Sequence, residues 1–209
     1  MSLVLIGIYG GIASGKTVLF DVMKKHGVRC LDCDNVIGYL FGNPDTGTGA
    51  LMKDALCNCL GDVYDADGFN AEKANKVLSS DEKLCRRFSE ITSEYTAIEV
   101  ERALCEAEKN GEGFAATDAF QVLSCGFARK ADISILVRAP FFQRVIRLSR
   151  RENISARDAE KYISSLPDCT DDAGIDHVIE NDSGMENLIQ KCDMLVSEIT
   201  CGKHHTTDS

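Results

Sequence analysis

Hydrophobic positions along this chain follow two alternating patterns. Leu3-Val-Leu-Ile-Gly-Ile-Tyr9 is a continuous apolar run of strand length, which predicts a strand buried on both faces. From Thr17 to His26 the period changes: Val18, Leu19, Val22 and Met23 share one side of a helix, and Gly27 closes it. Short apolar runs return at Val28–Leu31, Phe114–Thr117, Ile133–Val137 and His177–Ile179, with helical patterns between them. This alternation predicts a doubly wound α/β fold, a parallel sheet sandwiched by helices.

Two stretches interrupt the alternation. Asn43-Pro-Asp-Thr-Gly-Thr-Gly49 is rich in turn formers and reads as a loop. The mostly helical Ala50–Asn110 follows, far longer than a crossover needs, so residues 43–110 are expected to form a helical insertion beside the sheet. Within it, Asp65-Ala-Asp67-Gly68 has the look of a calcium loop, but the frame places Val63 and Ala74 where carboxylates are required, which leaves a turn. The polar tail 202–209 is expected to fray, leaving one domain over residues 1–201.

Composition adds exclusions. A net charge of −10 over 209 residues argues against nucleic acid bound by broad phosphate neutralisation, although a local positive pocket can still hold a small phosphorylated ligand. No apolar stretch approaches the length of a membrane span, and Met1–Tyr9 lacks a basic start and cleavage site, so a cytoplasmic protein is expected. Ten cysteines are scattered between Cys30 and Cys201. Cys30 and Cys33 form a C-x-x-C and Cys57 and Cys59 a C-x-C, but neither has a second pair or histidines at zinc spacing. They are read as reduced core thiols. His204-His205 in the tail is a poor metal site.

The chemistry is concentrated at the end of the first strand. Gly10-Gly11-Ile12-Ala13-Ser14-Gly15-Lys16-Thr17 satisfies G-x-x-x-x-G-K-[ST] and sits between a buried strand and a helix, the context such a loop requires. Its glycines let successive N–H groups turn inward as an anion cradle, and the helix adds its positive end. Lys16 can place an ammonium between β- and γ-phosphates, and the Thr17 hydroxyl can hold Mg²⁺. The pattern predicts a nucleoside triphosphate site.

Acidic residues follow two of the strands. Asp32 and Asp34 lie just past the second, where an open α/β sheet binds its ligands. One can orient or deprotonate an attacking hydroxyl and the other can order Mg²⁺-bound water; alternatively, Asp34 caps a helix beginning near Asn35. Asp118, after the third strand, can orient Mg²⁺ or its water, or cap the next helix. Further on, Arg144, Arg147 and Arg151 recur at i, i+3 and i+7 with Arg150 beside them. That stripe either stabilises charge on a transferring phosphoryl group or forms a solvated face paired with Glu152 and Asp158.

Taken in order, "IGIYGGIASGKT", "GVRCLDCDNVIGYLF", the turn at Asp65–Gly68, "RLSRREN" and "IDHVIEND" resemble the dephospho-CoA kinase family over nearly the whole chain. The resemblance implies a P-loop kinase core with a helical CoA-binding part and a lid at about 144–166. It implies transfer of phosphate from ATP to the ribose 3′-hydroxyl of dephospho-CoA, with Asp34 as general base and Asn181 near the adenine. Some family positions are changed. Phe120-Gln121-Val122-Leu123-Ser124 lacks the family's glutamate, and no His-Pro pair stands near Ile91–Glu94. Ala71, Tyr162 and Leu166 replace an arginine, an arginine and a glutamine. These changes fall on the acceptor side. A kinase for another nucleoside, nucleotide or small alcohol, or a nucleotide-binding protein without transfer, are the alternatives.

Overall fold

The computed structural model describes residues 2–79, 81–118, 130–166 and 174–202. Phe120–Ser124 and the tail from residue 203, with its histidine pair, lie outside these residues, as does any helix that Asp118 would cap. Residues 2–30, 111–118, 130–166 and 174–202 group into one compact unit, and residues 31–79 with 81–110 into a second.

The first unit is built on β1 (Val4–Tyr9), β5 (Phe114–Asp118), β6 (Ile133–Arg138) and β7 (His177–Glu180). With β2 (Arg29–Leu31) they form a five-stranded sheet in the order β2-β5-β1-β6-β7. β1 is central: it pairs in parallel with both β5 and β6, and β6 pairs in parallel with β7. The continuous apolar run of β1 is explained by burial on both faces, since neighbours Leu5 and Ile6 are both shielded from water. On one face, Ile6, Ile8, Ala116, Ile135, Val137 and Ile179 meet α1 (Lys16–Lys25) through Leu19, Phe20 and Met23, and α8 (Met185–Gly202) through Leu188, Cys192 and Val196. A helix pair, α6 (Phe141–Glu152) and α7 (Ala156–Ser165), packs Val145 and Leu148 on Ala159 and Ile163. Ser155 caps α7 by accepting from the Asp158 N–H.

The second unit is helical: α2 (Cys33–Gly42), α3 (Gly47–Leu60), α4 (Ala71–Leu78) and the long α5 (Glu82–Lys109). Leu40, Met52, Leu56, Leu60, Val63, Tyr64, Ala74 and Ile91 make its core. Between α3 and α4, β3 (Tyr64–Asp65) and β4 (Gly68–Phe69) pair antiparallel around the turn expected at Asp65–Gly68. Asp65 holds that turn, accepting from the Asp67 N–H and from Asn70. These bonds, the Asn70 one first, keep its carboxyl below the usual range. The loop expected over Asn43–Gly49 is shorter than the sequence suggested, because α3 begins at Gly47. Gly49 lies so close to the preceding segment that a Cβ there would sit 2.1 Å from the Asn43 carbonyl oxygen. Glycine therefore serves close packing here, and burial of Met52, Leu56 and Leu60 compensates its poor helix propensity.

Candidate functional site

The loop between β1 and α1 departs from ordinary backbone in three places. Gly10, Ala13 and Gly15 have φ of 146°, 59° and 113°. Gly15 is the residue before α1, and at that φ an L side chain is strained; a Cβ would also meet the Asn181 amide at 2.6 Å. Ala13 is a non-glycine residue held in the left-handed region, a conformation that the surrounding contacts must impose.

Those contacts are specific. The Lys16 ammonium donates to the Gly10 carbonyl at 2.7 Å and lies 3.5 Å from Asp118. Ser14 N–H donates to the Gly11 carbonyl. Arg144 Nε donates to the Ile12 carbonyl at 3.0 Å, Arg147 Nη1 to the Ala13 carbonyl at 3.4 Å, and Asn181 Nδ2 to the Ser14 carbonyl at 2.7 Å. Carbonyls are thus tied off around the loop. The Ser14 hydroxyl is different: it is buried and has no hydrogen-bond partner. A buried hydroxyl without a partner costs free energy unless a water or a ligand satisfies it.

The arginine stripe divides three ways. Arg144 is almost fully buried, at 4% exposure. Arg147 is half-buried and also donates to Gln143 and to the Asn181 side chain, at 2.9 and 3.1 Å. Arg151 is exposed and pairs with Glu152 at 2.7 Å, while Arg150 is exposed beside it. Asp158 accepts from its own cap, Ser155. Asn181, expected near the adenine, is buried against the phosphate loop, and its N–H donates to the Arg138 carbonyl.

In the second unit the two aspartates take different roles. Asp32, not Asp34, is the cap of α2, accepting from the Asp34 N–H at 3.1 Å. The helix starts at Cys33, two residues before the start the sequence suggested, so Asp34 stands in its first turn with an exposed side chain. The capping alternative for Asp34 is corrected on this point.

Thr17 is exposed in the first turn of α1 and Asp118 is buried at the end of β5. A hydroxyl and a carboxylate are hard oxygen donors, which suit a divalent cation of the magnesium kind. Among the described residues no group of three or more His, Cys, Asp or Glu comes together. Cys33 is buried, the Cys30 thiol donates to the Phe20 and Val28 carbonyls, and the eight described cysteines are thiols outside any disulfide. Burial pushes the Cys192 thiol up to about 11, which makes it unreactive.

Sequence reasoning reached the loop, the aspartates and the arginine stripe. It missed that Ile12 and Ala13 pack against the α6–α7 core, and that the stripe grips loop carbonyls more than 130 residues away in the chain. The even spacing of the arginines was visible, but no local signal names a remote backbone acceptor.

The chain is 30% identical over 198 residues to a dephospho-CoA kinase of Corynebacterium glutamicum, covering 93% of this chain and 96% of the relative. A dephospho-CoA kinase of Anaeromyxobacter dehalogenans is 26% identical over 95% of this chain and 93% of its own length. Among solved structures, the dephospho-CoA kinase from Campylobacter jejuni superposes with a TM-score of 0.63 at 14% identity, covering 95% of this chain and 98% of that one. TT1252 from Thermus thermophilus gives 0.67 at 18% identity, covering 95% and 99%. These two likenesses establish the fold of a P-loop kinase. Since the CoaE dephospho-CoA kinase family model matches residues 4–187, the chain belongs to the dephospho-CoA kinase family.

Proposed function

We infer that this chain transfers the γ-phosphoryl group of ATP to the 3′-hydroxyl of dephospho-CoA, giving coenzyme A. Membership of the family brings ATP, a divalent metal and dephospho-CoA as expected components. The observation that carries the reading in this molecule is the loop, with its carbonyls engaged by Lys16, Arg144, Arg147 and Asn181 and the Ser14 hydroxyl without a partner. Amides left over from such an arrangement converge on polyphosphate oxygens.

In this reading Lys16 leaves its own loop to meet the β- and γ-phosphates, drawn by charge far greater than that of a carbonyl. Thr17 and Asp118 are the residues that would hold Mg²⁺, which neutralises charge on the phosphates when bound. Asp34 is assigned to the acceptor hydroxyl as general base, because its side chain is exposed while Asp32 is occupied as a helix cap. Arg147 is assigned to steadying the loop and the negative charge beside it, and Arg151 to an approach over the phosphates after leaving Glu152. A cytoplasmic setting, where thiols stay reduced, goes with eight described cysteines outside any disulfide; among the described residues no helix is long and apolar enough to cross a membrane.

The test is direct. Purified protein with ATP, Mg²⁺ and dephospho-CoA should give a product heavier by one phosphoryl group at the ribose 3′-position. Asp34→Asn should lower turnover by about 10²-fold or more, whereas Asp32→Asn, which keeps a cap oxygen, should cost far less. A protein that binds ATP but makes no such product refutes the reading. One observation favours a second acceptor: Tyr162 and Leu166, at positions where the family resemblance expects polar side chains, are exposed at 50% and 37%. Release of ADP with a panel of nucleosides and small alcohols, but not with dephospho-CoA, would select it.

A further inference from the structure

The phosphate-loop motif accounts for amides that face a ligand, but not for what stands behind them. In an anion cradle the N–H groups converge on one side, so the carbonyls must point away and need donors of their own. Here the consecutive carbonyls of Ile12, Ala13 and Ser14 accept from Arg144, Arg147 and Asn181. None of these donors belongs to the loop.

Arg144 is the donor that the kinase reading leaves without a task. It is far more buried than its neighbours in the stripe, at 4% exposure against exposed Arg150 and Arg151. Its guanidinium fills the space that a side chain on Gly11 would take: a Cβ there would lie 2.3 Å from Nη2 and 2.6 Å from Cζ. Its helix is anchored to the same loop by apolar contact, since Ile12 and Ala13 pack against Val145, Leu148, Ala159 and Ile163. A planar, weakly hydrated guanidinium tolerates such burial better than an ammonium.

We propose that Arg144 is a positioning residue for phosphate binding: by holding the Ile12 carbonyl and filling the space beside Gly11, it keeps the loop amides aimed at the polyphosphate. It acts through the loop and does not touch the nucleotide. The proposal deepens the kinase reading and rests on it, but it concerns the nucleotide alone and is indifferent to the acceptor.

The full-length protein is titrated calorimetrically with Mg²⁺-ATP, with adenosine and with dephospho-CoA, and initial rates are taken with ATP varied. Arg144→Met should weaken ATP binding by about tenfold or more. Adenosine and dephospho-CoA affinities should stay within about twofold, and KM for ATP should rise more than kcat falls. Arg144→Lys, which keeps a donor, should recover part of the loss. Unchanged ATP binding in Arg144→Met overturns the proposal, as does an equal loss for all three ligands, which would report general damage. Should Arg144→Met fail to fold, Gly11→Ala decides, because its methyl group meets the guanidinium: ATP binding must weaken while dephospho-CoA binding holds, and wild-type ATP binding overturns the idea. Where both variants fold, most of the Gly11→Ala penalty should vanish in the double variant, and simple additivity counts against a shared contact. Wild-type protein that binds ATP without phosphorylating dephospho-CoA defeats the kinase reading and leaves this one standing; wild type that binds no ATP defeats both.

Discussion

The phosphate loop and the helical unit satisfy their backbones by opposite means. In the helical unit the partners are local: Asp32, Asn70 and Asp81 cap α2, α4 and α5 by accepting from N–H groups two or three residues away. In the loop, beside the local Lys16–Gly10 and Ser14–Gly11 bonds, three consecutive carbonyls have remote partners, with Arg144, Arg147 and Asn181 reaching back across 132, 134 and 167 residues. A backbone that must leave its amides bare for a ligand cannot satisfy its carbonyls in a helix or a sheet, so the fold supplies side chains from elsewhere. Stability can be written locally, whereas a binding loop has to be assembled.

The sharpest way to break this contrast is to alter each region and ask which property fails. Lys16→Met removes the ammonium that spans Gly10 and Asp118. It should lower kcat/KM by about 10²–10³-fold, the scale of losing one preorganised charge-stabilising donor. Thermal unfolding should shift by only a few degrees, because Lys16 packs no core. A large loss of stability with modest loss of turnover would show the loop to be structural first.

Leu56→Ala should do the reverse. Leu56 is fully buried among Leu40, Met52, Leu60 and Ile91, and its truncation leaves a cavity. Denaturant unfolding should reveal a loss of about 3 kcal/mol. Mg²⁺-ATP affinity, measured well below the unfolding transition, should stay within about twofold. A tenfold weaker affinity would mean that the loop depends on the helical core more than its own contacts suggest.

How much of this was legible in the sequence follows from the same contrast. The strands, α1 and the Asp65–Gly68 turn were readable because apolar period and turn chemistry are local properties. So was the glycine-rich loop between β1 and α1, because G-x-x-x-x-G-K-[ST] is a pattern of neighbouring residues. The start of α3 was not, since Thr46-Gly47-Thr48-Gly49 has loop composition and becomes helical through the close approach of Gly49 to Asn43 and the burial of Met52. Nor was the division of the aspartates, where a shift of two residues in the helix start gave the cap to Asp32. The arginine stripe was visible as spacing, but its split into buried Arg144, half-buried Arg147 and exposed Arg151 depends on a loop that the helix meets only in the fold.

Among the described residues the helical unit also holds a polar tie of the remote kind, and it gives the smallest and most discriminating prediction. Glu99 on α5 is 7% exposed and accepts from the Thr48 hydroxyl at 2.9 Å, 51 residues away. The Arg102 guanidinium beside it, and then Thr48, hold its carboxyl below the usual range although burial pushes the other way. The unfolded carboxyl therefore binds protons more readily than the folded one. Its contribution is complete above the ordinary glutamate pKa of about 4.3 and fades as pH falls through the lower folded value. Glu99→Gln keeps the shape and an acceptor for Thr48 but removes the charge. Because Arg102 is half-exposed and also pairs with Glu106, solvent screening limits the loss to about 1 kcal/mol at pH 7. Urea unfolding of both proteins should give curves that converge as the pH is lowered below about 4. A difference that persists unchanged in acid would mean that the carboxylate charge is not what Glu99 contributes, and that charged long-range ties belong to the loop between β1 and α1 and not to the helical unit.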